Sequence, residues 1–185
     1  MIRSAALLMR EVGVEATSFS EVLAHSGAPR GSIYHHFPEG KEQLIEEATR
    51  YGGDFIAAGV AAALEKEDPV TALDDFARYW RAVLRDSDFA AGCPVVAATL
   101  EGDRNPAARE AAGQAFNRWR LLLAQSLRRR GIERDRSRSL AMLVVASIEG
   151  AVIVSRAQCS SAPIDHVAKE LHTVLRDALR EAEKF

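Results

Sequence analysis

Residues 17–41 read TSFSEVLAHSGAPRGSIYHHFPEGK. Ser18-Phe19-Ser20-Glu21 fits a capping box, in which a serine hydroxyl and a glutamate three residues on satisfy each other's backbone N–H groups and open a helix. Ser26-Gly27-Ala28 interrupts that helix after about two turns, and Gly27 supplies the positive φ that a tight turn between helices uses. Pro29 suits the first turn of a third helix, where its missing N–H is not needed. Phe37-Pro38-Glu39-Gly40 ends it. A short helix, a three-residue turn with glycine and a second short helix make a helix-turn-helix. Its second helix presents N-terminal residues to the major groove of DNA.

The side chains agree with that use. Arg30 is placed to donate two hydrogen bonds to a guanine edge. Gly31 lets the backbone come close, and Ser32 can donate or accept. Tyr34, His35, His36 and Lys41 carry O–H, N–H and ammonium groups suited to phosphates, and Thr17 and Ser18 join them as candidate DNA contacts before the preceding helix. Ile33 and Phe37 fall on the opposite, core-facing side. Charge tempers the reading. Across residues 1–41, Arg3, Arg10, Arg30 and Lys41 are balanced by Glu11, Glu15, Glu21 and Glu39, and the 185-residue chain carries a net charge of −2. Attraction to a duplex must be local, with modest non-specific affinity.

Around this stretch the chain reads as helix. Hydrophobic residues make up 48% and charged residues 27%, the balance of a globular protein. No sustained alternation of β-branched residues appears, and no Asn-Gly or Asp-Gly hairpin turn. Apolar stripes recur at spacings of three and four: Val70, Leu73, Phe76, Trp80 and Leu84; Phe116, Trp119, Leu123 and Leu127; Ile164, Val167, Leu171, Val174, Leu175 and Leu179. Gly13 is placed to stop a first helix, Lys41 to about Leu64 forms a long fourth, and Glu67-Asp68-Pro69 starts the next. Gly102 to Pro106 and Arg130-Gly131 mark later breaks. The pattern predicts an all-α chain of about nine helices. Residues 1–45 are expected to form a three-helix DNA-binding domain, and residues 46–185 a helical bundle.

The two long helices at the end have the composition of an interface. One, from about Arg134 to Ser160, is apolar on nearly all sides, so one face can serve its own bundle and another a partner. The other, from Ile164, has a strong stripe. A homodimer through these two is expected, with Gly150 and Ala151 allowing close approach. The apolar run from Leu140 to Val154, broken by Glu149, reads as too short for a membrane span, and no signal peptide is apparent. Cys93 and Cys159 are too few for a disulfide framework and lack metal spacing. The expectation is a cytoplasmic protein with no membrane partner, no metal and no cofactor.

Phe76, Trp80, Phe116 and Trp119 either line a ligand cavity or are plain core. Cys93, before Pro94, starts a short helix facing that cavity or is a buried small hydrophobe. Glu149 needs a partner if buried: a ligand in the cavity, Ser147 or its own symmetry mate. Arg128, Arg129, Arg130, Arg134, Arg136 and Arg138 surround Gly131 and read as a solvated loop. No nucleophile–base pair, phosphate loop or metal set is present, which argues against an enzyme. A helical-bundle carrier, or a regulator-like protein that has lost DNA binding, remains as the alternative.

The run from Thr17 to Lys41 resembles the DNA-binding domain of TetR-family transcriptional regulators. The family's turn glycine, basic residue, Gly, small residue, Leu or Ile, Tyr, His, Phe and Lys are met in order by Gly27, Arg30, Gly31, Ser32, Ile33, Tyr34, His36, Phe37 and Lys41. Pro29 stands where Ser or Thr is more frequent, and Glu39 adds an acid on the phosphate side. Further on, AGCPVVAATLEGD (91–103), FNRWRLLL (116–123) and SIEGAVIVSRA (147–157) resemble the LmrA/YxaF-like branch of that family. The resemblance implies an all-helical homodimer that binds a palindromic operator in double-stranded DNA and represses transcription. It implies release when a small-molecule effector enters the C-terminal domain.

Overall fold

The computed structural model of the protein describes residues 1–66, 68–100 and 104–184. Among the described residues there are nine α-helices and no strand: α1 Ile2–Ala16, α2 Phe19–Ser26, α3 Ser32–His36, α4 Lys41–Lys66, α5 Pro69–Asp86, α6 Pro94–Leu100, α7 Pro106–Arg129, α8 Arg134–Gln158 and α9 Ala162–Ala182. Glu67 and the expected break at Gly102-Asp103 lie outside the described residues.

Local chemistry sets most boundaries. Ser18 opens α2 with the full capping box: its Oγ accepts from Glu21 N at 3.2 Å, and its own N–H donates to Glu21 Oε2 at 3.0 Å. Asp68 caps α5, with Pro69 in the first turn. Glu133 caps α8 by accepting from the N–H groups of Asp135 and Arg136. Gly27 ends α2 at φ 68°, in the left-handed region that costs glycine little.

Two boundaries differ from expectation. Gly13 does leave helical geometry, at φ 85° and ψ 170°, but the chain re-enters helix and α1 runs on to Ala16. Pro29 does not begin regular α3. Ser32 N donates to Pro29 O at 3.0 Å, so residues 29–31 form one tight i→i+3 turn ahead of it.

The chain packs as two compact units. The first comprises Met1–Phe55 and Ala90–Ala115. Its core includes Met9, Val22, Ile33, Phe37, Leu44 and Ile45. Here α6 lies on α1. Gly92 N donates to Arg10 O at 2.8 Å, and Asn105 Nδ2 donates to Glu42 O at 3.2 Å. The glycine pair of α4 explains itself here. A Cβ on Gly52 would stand 2.7 Å from Pro94 Cγ, and one on Gly53 2.6 Å from Ala115 Cβ. The missing side chains let α6 and the first half of α7 close on α4.

The second unit comprises Ile56–Phe89 and Phe116–Phe185. Here α9 packs against both α5 and α8. Its core holds Trp80, Leu84, Leu127, Leu140, Ile148, Ile164 and Leu175. Arg81 Nη1 donates to Asp165 Oδ1 at 2.6 Å, tying α5 to α9. Helix α8 is more apolar than the sequence suggested: an 18-residue window has mean hydropathy 1.8, enough by length and composition alone to cross a membrane. Only 44% of that window is buried within the chain. Much of the remainder is an outward stripe on which Met142, Leu143, Ile153 and Val154 are each 43–52% exposed.

Candidate nucleic-acid interface

The α2–turn–α3 segment sorts its residues by side. Ile33 and Phe37 are buried and fasten α3 to the core. Arg30, Gly31, Tyr34, His35 and His36 are exposed. The Arg30 guanidinium makes no hydrogen bond or ion pair with a described residue, so all its donors face solvent. Tyr34 is 72% exposed, yet its ring meets Phe19 of α2 edge-on, with centroids 6.0 Å apart at 84°. That contact holds the phenol outward. The rings of His35 and His36 lie 5.5 Å apart. Among the described residues no group of three or more His, Cys, Asp or Glu side chains is placed to hold a metal ion.

Gly31 is informative because the fold does not require it. Its φ of −69° and ψ of −19° are helical, and a Cβ there would meet nothing within 4 Å. Neither steric room nor backbone geometry therefore calls for glycine here. The backbone at Gly31 is left bare on the exposed side of the turn.

Four other candidates are held by the protein itself. Thr17 is fully buried, and its Oγ1 donates to Gly13 O at 2.7 Å. It closes the end of α1 and does not face a ligand, which corrects its place in the expected contact set. Ser18 is occupied by the capping box, and its hydroxyl also lies 2.8 Å from Ser20 Oγ. Ser32 Oγ donates to Pro29 O at 2.7 Å, leaving its lone pairs to accept. Lys41 Nζ donates to Glu15 O at 2.8 Å, at the C-terminal end of α1 where a cation is favoured. One of its three donors is thereby used.

Gln43 was not singled out in the sequence, yet it positions this surface. It accepts from Glu39 N at 3.1 Å and donates to His36 O at 3.4 Å, bracing the α3–α4 turn. The signal was available: Gln43 is the third residue of a helix, where a glutamine reaches back to the preceding turn.

The candidate ligand residues separate. Phe76 and Trp80 form a cluster with Tyr79 on α5, and Phe116 meets Trp119 on α7 at 5.1 Å and 87°. Both clusters and buried Glu149 belong to the second unit, whereas buried Cys93 belongs to the first. Trp80 Nε1 and Ser155 Oγ are buried without a hydrogen-bond partner among the described residues.

A braced helix-turn-helix with an open arginine and a bare backbone at the start of its second helix is the apparatus of a DNA-binding transcription regulator. The comparisons agree. The family model for bacterial regulatory proteins of the tetR family matches residues 1–48. The model for the C-terminal domain of LmrA/YxaF-like transcriptional regulators matches residues 69–170. The chain belongs to the TetR family, in its LmrA/YxaF-like branch. It is 41% identical to Rv0196, an uncharacterized HTH-type transcriptional regulator of Mycobacterium tuberculosis, over all of this chain and 96% of that one. It is 28% identical to the HTH-type transcriptional regulator LmrA of Bacillus subtilis, over 95% of each. Among solved structures, a TetR transcriptional regulator from Chloroflexus aurantiacus superposes with TM-score 0.76 at 29% identity, covering 95% of this chain and 91% of that one. The regulatory protein TetR from Rhodobacter sphaeroides shares the fold at TM-score 0.82 and 21% identity, over 93% and 95%.

Proposed function

We propose that the protein is a cytoplasmic homodimeric repressor. In this reading residues 1–45 hold a palindromic DNA operator, and residues 46–185 dimerise and bind a small apolar or aromatic effector that releases it. One observation carries the DNA reading: Arg30 is unpartnered and exposed beside a glycine that the fold itself does not need. Arg30 then reads a base edge, Gly31 admits the duplex, and Tyr34, His35, His36 and the remaining donors of Lys41 meet phosphates. The outward stripe of α8 supports dimerisation, since a lone chain would leave it in water. A two-fold dimer reads two-fold half-sites.

Phe76, Trp80, Phe116, Trp119 and Glu149 are the residues proposed for the effector. Trp80 Nε1 and Ser155 Oγ favour a ligand that brings a polar group with its apolar body, because a buried unpaired N–H or O–H costs about 1–3 kcal/mol. An effector can shift the DNA equilibrium only by its differential affinity for the two states. The test is a tryptophan-fluorescence screen of aromatic compounds followed by operator competition. An inducer must change emission and weaken operator binding with one midpoint after allowance for linkage. If every compound that fills the bundle leaves operator affinity unchanged, the switch is absent.

A further inference from the structure

A groove of about 690 Å³ opens in the second unit where the start of α5, the turn after α7 and the C-terminal half of α9 meet. That volume is within the range of about 300–1,000 Å³ typical of small-molecule sites. None of the aromatic residues proposed for the effector lines it. Its charges look mixed, with Arg130, Arg176 and Arg180 set among Asp68, Asp74 and Glu183. They differ in how much of their bonding capacity is already used.

Asp68 is occupied as the cap of α5, accepting from Val70 N at 2.9 Å, Thr71 N at 3.3 Å and Thr71 Oγ1 at 2.6 Å. Asp74 faces His172 Nδ1 at 3.4 Å. His172 Nε2 accepts from Arg176 Nη2 at 2.6 Å, because a guanidinium only donates; Nδ1 therefore carries the proton directed at Asp74. Asp68 thus has three donors on it and Asp74 one long contact, and both keep their negative charge. The cations have donors to spare. Arg176 uses a single N–H on His172. Arg180 has only Asp177, at 3.8 Å, with both side chains largely exposed. Arg130 makes no side-chain hydrogen bond with a described residue and acts on Asp68 through space. Each guanidinium offers five donors. Against these stand three carboxylates, Asp68, Asp74 and Glu183, so the groove is formally neutral and its preference for anions rests on the spare guanidinium donors. Val70 and Leu179 add an apolar surface for a carbon frame.

We propose that this groove binds a small organic molecule bearing at least two phosphate or carboxylate groups, held by Arg130, Arg176 and Arg180. Binding in this groove does not presuppose an operator and can be tested without DNA. Isothermal titration of the purified full chain at low ionic strength uses sodium pyrophosphate in one arm and citrate in the other. One saturable site per chain for either probe supports the proposal, and the stronger arm identifies phosphate or carboxylate as the natural group. Arg130→Gln and Arg180→Gln should each weaken that probe about 10-fold or more, as expected for loss of a charge-assisted bond. Both side chains are exposed, so the fold should persist, and a thermal melt checks this. Arg138→Gln, on α8 and outside the groove, should bind as the parent does. Absence of saturation with both probes would overturn the proposal. So would equal weakening by Arg138→Gln, which would mean diffuse attraction to the basic surface.

Discussion

Arg30 and Gly31 stand side by side in the turn that leads into α3, and they make opposite demands on the chain. Arg30 adds nothing to the fold through hydrogen bonds or ion pairs. Its replacement by Ala should leave the melting temperature unchanged and cost about 1–3 kcal/mol of operator binding per half-site, with relaxed base preference there. Fluorescence anisotropy on matched and mutated duplexes measures both effects. Gly31→Ala separates fold from function more sharply. Helical φ and ψ with open space predict a protein about 0.4–1 kcal/mol more stable. A methyl group facing the duplex should at the same time lower operator affinity. Stability that rises with affinity unaltered would remove Gly31 from the interface. At this scale the sequence was legible where residue type implies geometry, as at Gly27 and in the alternation of Ile33 and Phe37 with polar neighbours. Thr17 was misread because a threonine after a helix can turn its hydroxyl back to the carbonyl four residues before, as it does to Gly13. Lys41 could not be resolved from sequence, since its partner carbonyl at Glu15 comes from a different helix.

Among the elements, the starts of α2 and α5 were written plainly in Ser18-x-x-Glu21 and Asp68-Pro69, because a cap is a local interaction. The packing of α6 on α1 was not, since nothing local to Pro94–Leu100 names its partner. The α5 cap carries a pH signature. Burial raises the Asp68 carboxyl, but the bonds from Thr71 Oγ1, Val70 N and Thr71 N, with the charge of Arg130, outweigh it and hold the group below its ordinary 3.8. A carboxyl lowered on folding binds fewer protons in the folded state. Its contribution is therefore full above the unfolded value and is lost as pH falls through the lower, folded one. Asp68→Asn keeps an acceptor oxygen and loses the titration, so urea unfolding across the acid range should show a shallower loss of stability. Glu133 is lowered chiefly by Arg136 N, with help from Asp135 N against desolvation, and titrates on the same side; part of the acid loss should persist. Asp68→Ala should cost about 0.5–2 kcal/mol at neutral pH. An Asp68→Asn acid limb identical to the parent's would show that the cap charge is not the source.

For the whole molecule, α8 is the element whose sequence was clearest in kind and least clear in detail. Its all-round apolarity implied two faces, and the chain covers only one of them. Ala151, expected to approach a partner, is buried in its own bundle, while Gly150 next to it has open space beyond its Cα. Ile153 is the better probe, being 51% exposed in the single chain. Ile153→Arg should remain helical, since the arginine is solvated in a monomer. It should dissociate the proposed dimer, since an unpaired charge buried at an interface costs about 3–5 kcal/mol. Sedimentation equilibrium with circular dichroism checks both, and an intact Ile153→Arg dimer would place the interface elsewhere.

With the charges of residues 1–41 in balance, binding to DNA must come from sequence-specific contacts more than from general attraction. Purified parent and Arg30→Ala proteins should be incubated side by side with fragmented DNA from the source genome, and the retained fragments sequenced. The parent should enrich one two-fold-symmetric sequence, and Arg30→Ala should retain it weakly and with degraded preference at the same position of each half-site. No enriched sequence, or the same sequence enriched equally by both proteins, would contradict it.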